Sequence, residues 1–156
     1  MAHPHRLLVV FHSRSGGTQA LTDAVVSGAT HDAIKGVHVA VQRAFDTTPD
    51  DVRGCNAIIL GTPENFGYMS GALKDFFDRV FYEVIDDTPG LPYGLFVKAG
   101  NDGEGAVRSI ERLVTGLRWK TIMPPVVVTG DVTPDDLDRC QELGATMAAG
   151  LAVGMF

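Results

Sequence analysis

Short apolar runs alternate with longer stretches of helical period along the whole chain. Leu7-Leu8-Val9-Val10-Phe11, Val37 to Val41, Ala57-Ile58-Ile59-Leu60, Leu95-Phe96-Val97 and Pro125-Val126-Val127-Val128 are mostly β-branched and bounded by Gly, Pro, Asn or Asp, which predicts five strands. Four of them carry almost no polar interruption, as strands covered on both faces do. The run from Val37 to Gln42 is more polar and suits a sheet edge.

The intervening segments repeat apolar residues at three- and four-residue spacing. Thr18 to Ser27 puts Ala20, Leu21, Ala24 and Val25 on one face, and Gly71 to Tyr82 does the same with Leu73, Phe76, Phe77, Val80 and Phe81. Ala106 to Leu117 follows with Val107, Ile110, Leu113, Val114 and Leu117, and Gly116 is expected near its C-terminal end. A last helix is expected from Thr133-Pro134, with Thr133 as N-cap, Pro134 at its first position and Asp136 at its third. Thr48 to Val52 reads as a short helical start at most. Strands alternating with helices imply parallel pairing through right-handed crossovers, and so an α/β, doubly wound domain with helices on both sheet faces. Residues 6–156 form that domain; the polar, His-rich residues 1–5 are expected to be a flexible N-terminus.

Composition narrows the function classes. The chain has 156 residues, enough for one core that needs no disulfide or metal staple. Its formal net charge is −6, without an extended basic run, which argues against nucleic acid or an anionic membrane as partner. Cys55 and Cys140 have no C-x-x-C spacing and no neighbouring His, so they read as structural thiols, and no metal site is expected. The apolar run behind the N-terminus is too short for a signal sequence or a spanning helix, so a cytoplasmic location is expected.

In such a sheet, ligands bind beyond the carboxyl ends of the strands. Eight of the 18 glycines fall in the three strand-to-helix segments that would meet there. The first, His12 to Thr18, combines the hydroxyls of Ser13, Ser15 and Thr18 with amides kept accessible by Gly16 and Gly17 at a helix N-terminus, a cradle for a phosphate. It has neither the Lys of a Walker loop nor G-x-G-x-x-G, and a Ser/Gly turn that only caps a helix is the alternative. Arg14 would neutralise the phosphate or point into solvent. The second segment, Gly61 to Gly71, offers backbone amides beside Phe66 and Tyr68, a wall for a flat ring or plain packing residues. The third, Lys98 to Gly105, supplies turn residues at the same edge.

Ser13-Arg14-Ser15-Gly16-Gly17-Thr18 together with Gly61-Thr62-Pro63-Glu64-Asn65-Phe66-Gly67-Tyr68-Met69-Ser70-Gly71-Ala72-Leu73-Lys74-Asp75-Phe76-Phe77-Asp78-Arg79 resembles the flavodoxin-like family, in particular its NAD(P)H-dependent FMN reductase and quinone reductase branch. The resemblance implies a flavodoxin-like five-stranded parallel sheet of order 2-1-3-4-5 between two helical layers, with FMN as cofactor and NAD(P)H as co-substrate. By that resemblance Ser13, Arg14, Ser15, Gly16, Gly17 and Thr18 bind the FMN phosphate. Pro63, Glu64, Asn65, Phe66 and Gly67 then flank the isoalloxazine ring, and Gly100, Asn101 and Gly103 line its other edge. The ring carries the redox chemistry, so no catalytic side chain is nominated. The segment after the fourth strand has no aromatic residue and Trp119 lies outside all three segments, which would leave one flavin face open to a nicotinamide or quinone. The expected function is reduction of a quinone, flavin or similar small-molecule acceptor. A flavodoxin-type carrier serving a redox partner protein is the alternative, a flavin-free signalling domain a more remote one, and a homodimer is left open.

Overall fold

Leu7, Leu8, Val9 and Val10 are wholly shielded from solvent, so the first strand is covered on both sides, as its unbroken apolar run requires. The computed structural model describes residues 4–156. In chain order the elements are β1 (His5–Phe11), α1 (Gly17–Ala29), β2 (Val37–Arg43), a 3-10 turn (Ala44–Asp46), α2 (Pro49–Arg53), β3 (Ala57–Asn65) and β4 (Tyr68–Met69). They continue with α3 (Gly71–Val84), β5 (Pro92–Ala99), α4 (Glu104–Leu117), β6 (Lys120–Thr121), β7 (Val126–Thr129) and α5 (Pro134–Ala152).

The main sheet is parallel, in the order β2-β1-β3-β5, and both β6 and β7 pair with β5 at its far side. This is the flavodoxin-like α/β/α arrangement. Period-two alternation divides each central strand between two cores. Leu8, Val10, Ile58, Leu60, Leu95 and Val97 join α3 and α4 residues such as Leu73, Phe76, Phe77 and Ile110. Leu7, Val9, Ile59 and Phe96 join Leu21 and Val25 of α1 and Leu143, Met147 and Leu151 of α5. β2, at the edge, has no fully buried residue.

Four boundaries differ from the sequence expectation, each for a local reason. β1 begins at His5, because its N–H donates to Gly36 O at 2.9 Å and so extends the ladder; residues 1–3 of the expected N-terminal tail lie outside the described residues. β3 continues past Leu60 to Asn65, since Glu64 and Asn65 pair antiparallel with Met69 and Tyr68 of β4. The last sheet position is filled by two short strands, β6 and β7, where one run was expected. The C-terminal end of α4 is taken by Arg118 at φ 60°, two residues beyond Gly116. The last helix starts as expected, with Thr133 and Asp136 forming a capping box.

Candidate functional site

Parallel pairing brings the carboxyl ends of β1, β3 and β5 to one edge: Phe11 lies beside Gly61, and Pro63 beside Lys98. The three glycine-bearing segments therefore meet there. Ser13, Arg14, Ser15 and Gly16 connect β1 to α1, and Gly17 and Thr18 open the helix. Gly16 is the N-cap at φ 95°, a left-handed conformation that a Cβ would disfavour. Ser13 Oγ accepts the Gln19 N–H at 3.1 Å, which folds the loop back over the first turn. Thr18 is buried, whereas Arg14 and Ser15 are exposed.

Helix N-termini at this molecule's surface are otherwise satisfied by side chains. Thr48 caps α2, Ser70 caps α3 and Thr133 caps α5. At α4 the Glu104 N–H donates to Asp102 Oδ1 at 3.0 Å, and the Ala106 N–H donates to Glu64 Oε2 at 3.2 Å. The N-cap of α1, Gly16, has no side chain to offer and the first turn has no acidic residue, so only the Gln19 amide is taken, by Ser13 Oγ. The Gly17 and Thr18 amides at its positive dipole end have no side-chain acceptor, which is the chemistry of an anion-binding helix N-terminus.

The second segment is a β-hairpin, where the sequence pattern suggested an irregular loop. Phe66 and Gly67 form its two-residue turn, at φ 54° and 70°, as a primed hairpin turn demands. Asn-Gly is the usual choice for such a turn; Phe66 is there at a strain cost of about 1–3 kcal/mol and is fully exposed. The hairpin is held against α4. The Met69 N–H donates to Ser109 Oγ at 3.3 Å, Ser109 Oγ donates to Ala106 O at 2.8 Å, and a Cβ at Gly105 would lie 1.9 Å from Gly67 O. Below it, buried Thr62 Oγ1 accepts the Ser70 N–H at 3.0 Å and locks the return of the chain into α3. Gly100 and Asn101 are exposed beside this hairpin, and Gly103, at φ 74°, is the N-cap of α4.

A family-level match to "NADPH-dependent FMN reductase" covers residues 37–133. The chain belongs to that family. Its cofactor is FMN. The loop before α1, the exposed ring at the hairpin tip and the loop before α4 lie along one sheet edge. A flavodoxin of Aquifex aeolicus is 24% identical over 95% of this chain and 88% of its own length. An NAD(P)H dehydrogenase (quinone) of Acidithiobacillus ferrooxidans is 31% identical over 47% of this chain, and the match spans 46% of that relative. The solved structure of a flavodoxin from the domain Archaea superposes with a TM-score of 0.79 at 25% identity, covering 94% of this chain and 98% of the other.

Lys98 is a candidate site residue that sequence reasoning did not nominate. It is the penultimate residue of β5, and its stem crosses the phosphate loop: a Cβ at Gly17 would lie 3.2 Å from Lys98 Cε. Among the described residues it forms no ion pair. No local motif announces it, because strand register alone brings it to Gly17. Trp119 is far from the flavin edge, buried with its Nε1–H donating to Thr88 Oγ1 at 2.9 Å. The two thiols are also remote from redox work, since burial pushes Cys55 up to about 12 and Cys140 up to about 11. Among the described residues no His/Cys/Asp/Glu group could hold a metal, and no helix is long and apolar enough to cross a membrane.

Proposed function

We propose that the chain is an FMN-dependent oxidoreductase that takes electrons from NAD(P)H and delivers them to a quinone, a flavin or a similar small acceptor. The observation that carries this reading is Phe66: a fully exposed aromatic ring held on left-handed backbone at the same edge as a glycine-capped helix N-terminus whose first amides have no side-chain acceptor. Bound FMN would supply the redox chemistry, accepting two electrons and a proton from the nicotinamide and passing them on.

The chain's own residues bind and orient. Ser13, Ser15, Gly16, Gly17 and Thr18 offer hydroxyls and amides to the phosphate, and Arg14 and Lys98 balance its charge. Pro63, Glu64, Asn65, Phe66 and Gly67 form the wall along one side of the ring, and Gly100, Asn101 and Gly103 line its far edge. One oxygen of the Glu64 carboxylate accepts the Ala106 amide, so Glu64 serves to position the hairpin. No aromatic residue from the third loop covers the ring's second face, which leaves space for a stacking nicotinamide or quinone.

A second reading, a carrier that exchanges electrons with a partner protein, is favoured by the near full-length likeness to a flavodoxin. Rapid mixing of the FMN-loaded protein with NADPH and NADH, with and without a quinone, separates the two. Fast nicotinamide oxidation that turns over with quinone supports the enzyme; flavin bleaching only by a protein or chemical reductant supports the carrier. A protein that binds no FMN in a calorimetric titration would sink both.

A further inference from the structure

The strands end along the ligand edge in the order β2, β1, β3, β5. On the proposed reading, FMN runs from the phosphate loop after β1 toward the segments after β3 and β5. A group esterified to its phosphate has the end of β2 as its neighbour on the other side of β1. A cavity of about 220 Å³ opens there, lined by His12, Ser13, Gln19, Arg43, Ala44 and Phe45. It shares Ser13 with the proposed phosphate loop, and Ser13 is joined to Gln19 of α1 by the 3.1 Å hydrogen bond that folds the loop.

The lining has the chemistry of a nucleotide subsite. Phe45 is 61% exposed, and its ring meets His12 edge-on with centroids 6.2 Å apart, so a face remains for a purine to stack on. Arg43 is exposed and forms no ion pair among the described residues, which leaves its guanidinium for a second phosphate. His12 is held below its usual value by burial and then by the charges of Arg14 and Arg43, a sign that this corner is electropositive. The volume is below the roughly 300 Å³ of a typical whole-ligand pocket and suits one nucleoside half.

We propose that this cavity is a subsite for the adenylate half of a dinucleotide flavin, so that the chain accepts FAD as well as FMN. The inference rests on the flavin reading given under Proposed function. Arg43 would contact the second phosphate and Phe45 the adenine, and neither would touch FMN.

The test is calorimetric titration of the flavin-stripped full chain with FMN and, separately, with FAD, for the wild type, Phe45→Ala and Arg43→Gln. The wild type is expected to bind FAD within about tenfold of FMN, and each substitution to weaken FAD by about tenfold while changing FMN by less than about twofold. Both side chains are exposed, and thermal melts of each variant check that the fold is retained. FMN binding without FAD binding, equal losses for both flavins, or no loss for either would overturn the subsite and leave the flavin reading intact. Absence of binding by both flavins would overturn the two together.

Discussion

Ser15 and Lys98 reach the same proposed phosphate by different routes, one through a local motif and one through strand register. Ser15→Ala removes a charge-assisted hydrogen bond from an exposed loop position, so FMN affinity should fall by about 1.5–3 kcal/mol, roughly tenfold to a hundredfold. Lys98→Met removes a charge a few ångströms away at intermediate dielectric, worth about 0.7–2 kcal/mol, or roughly threefold to thirtyfold. Fluorescence titration with FMN at low salt measures both, and the Lys98 effect should shrink as salt is raised. Unchanged affinity in both variants would mean that the phosphate is held elsewhere. Phe66 belongs to the same scale: its type was legible in the sequence as an aromatic in a glycine-bearing segment, but its full exposure and left-handed backbone were not.

At the scale of elements, the hairpin of β3 and β4 and the first two turns of α4 behave as one unit. Three contacts join them: Glu64 to the Ala106 amide, Met69 to Ser109, and the close approach of Gly67 to Gly105. Gly105→Ala would drive a methyl into a backbone carbonyl, with no flexible side chain to give way. We expect a loss of stability of about 1–3 kcal/mol, read from urea unfolding, together with weaker FMN binding, because Phe66 and Gly67 are displaced with the hairpin. A variant as stable as the parent would show that the hairpin is not tied to α4 in solution.

For the whole molecule, two cores flank one sheet, and each of them shelters a thiol: Cys55 packs on the α3/α4 side and Cys140 on the α1/α5 side. With both thiols pushed up, to about 12 and about 11, their thiolate fraction in the native state is small at ordinary pH. Native protein at pH 8 should therefore resist a thiol-exchange reagent. Its labelling across a urea series should follow the loss of helical circular dichroism, one cysteine reporting from each core. Rapid labelling of either cysteine without urea would mean that its core opens locally.

The alternation of apolar runs with helical periods determined the fold class, the edge position of β2 and the capped start of α5, because burial on two faces and helix capping act through residues close in sequence. The proposed phosphate loop could be nominated for the same reason, since Ser13 to Thr18 are contiguous. Tertiary structure alone decided that Lys98 crosses Gly17, that Glu64 serves the Ala106 amide of α4, and that Arg43 and Phe45 close a cavity beside His12. Each of these depends on strand order and register, which bring residues tens of positions apart to one edge; the β3–β4 hairpin is local, but its turn carries Phe66 where an Asn would have announced it.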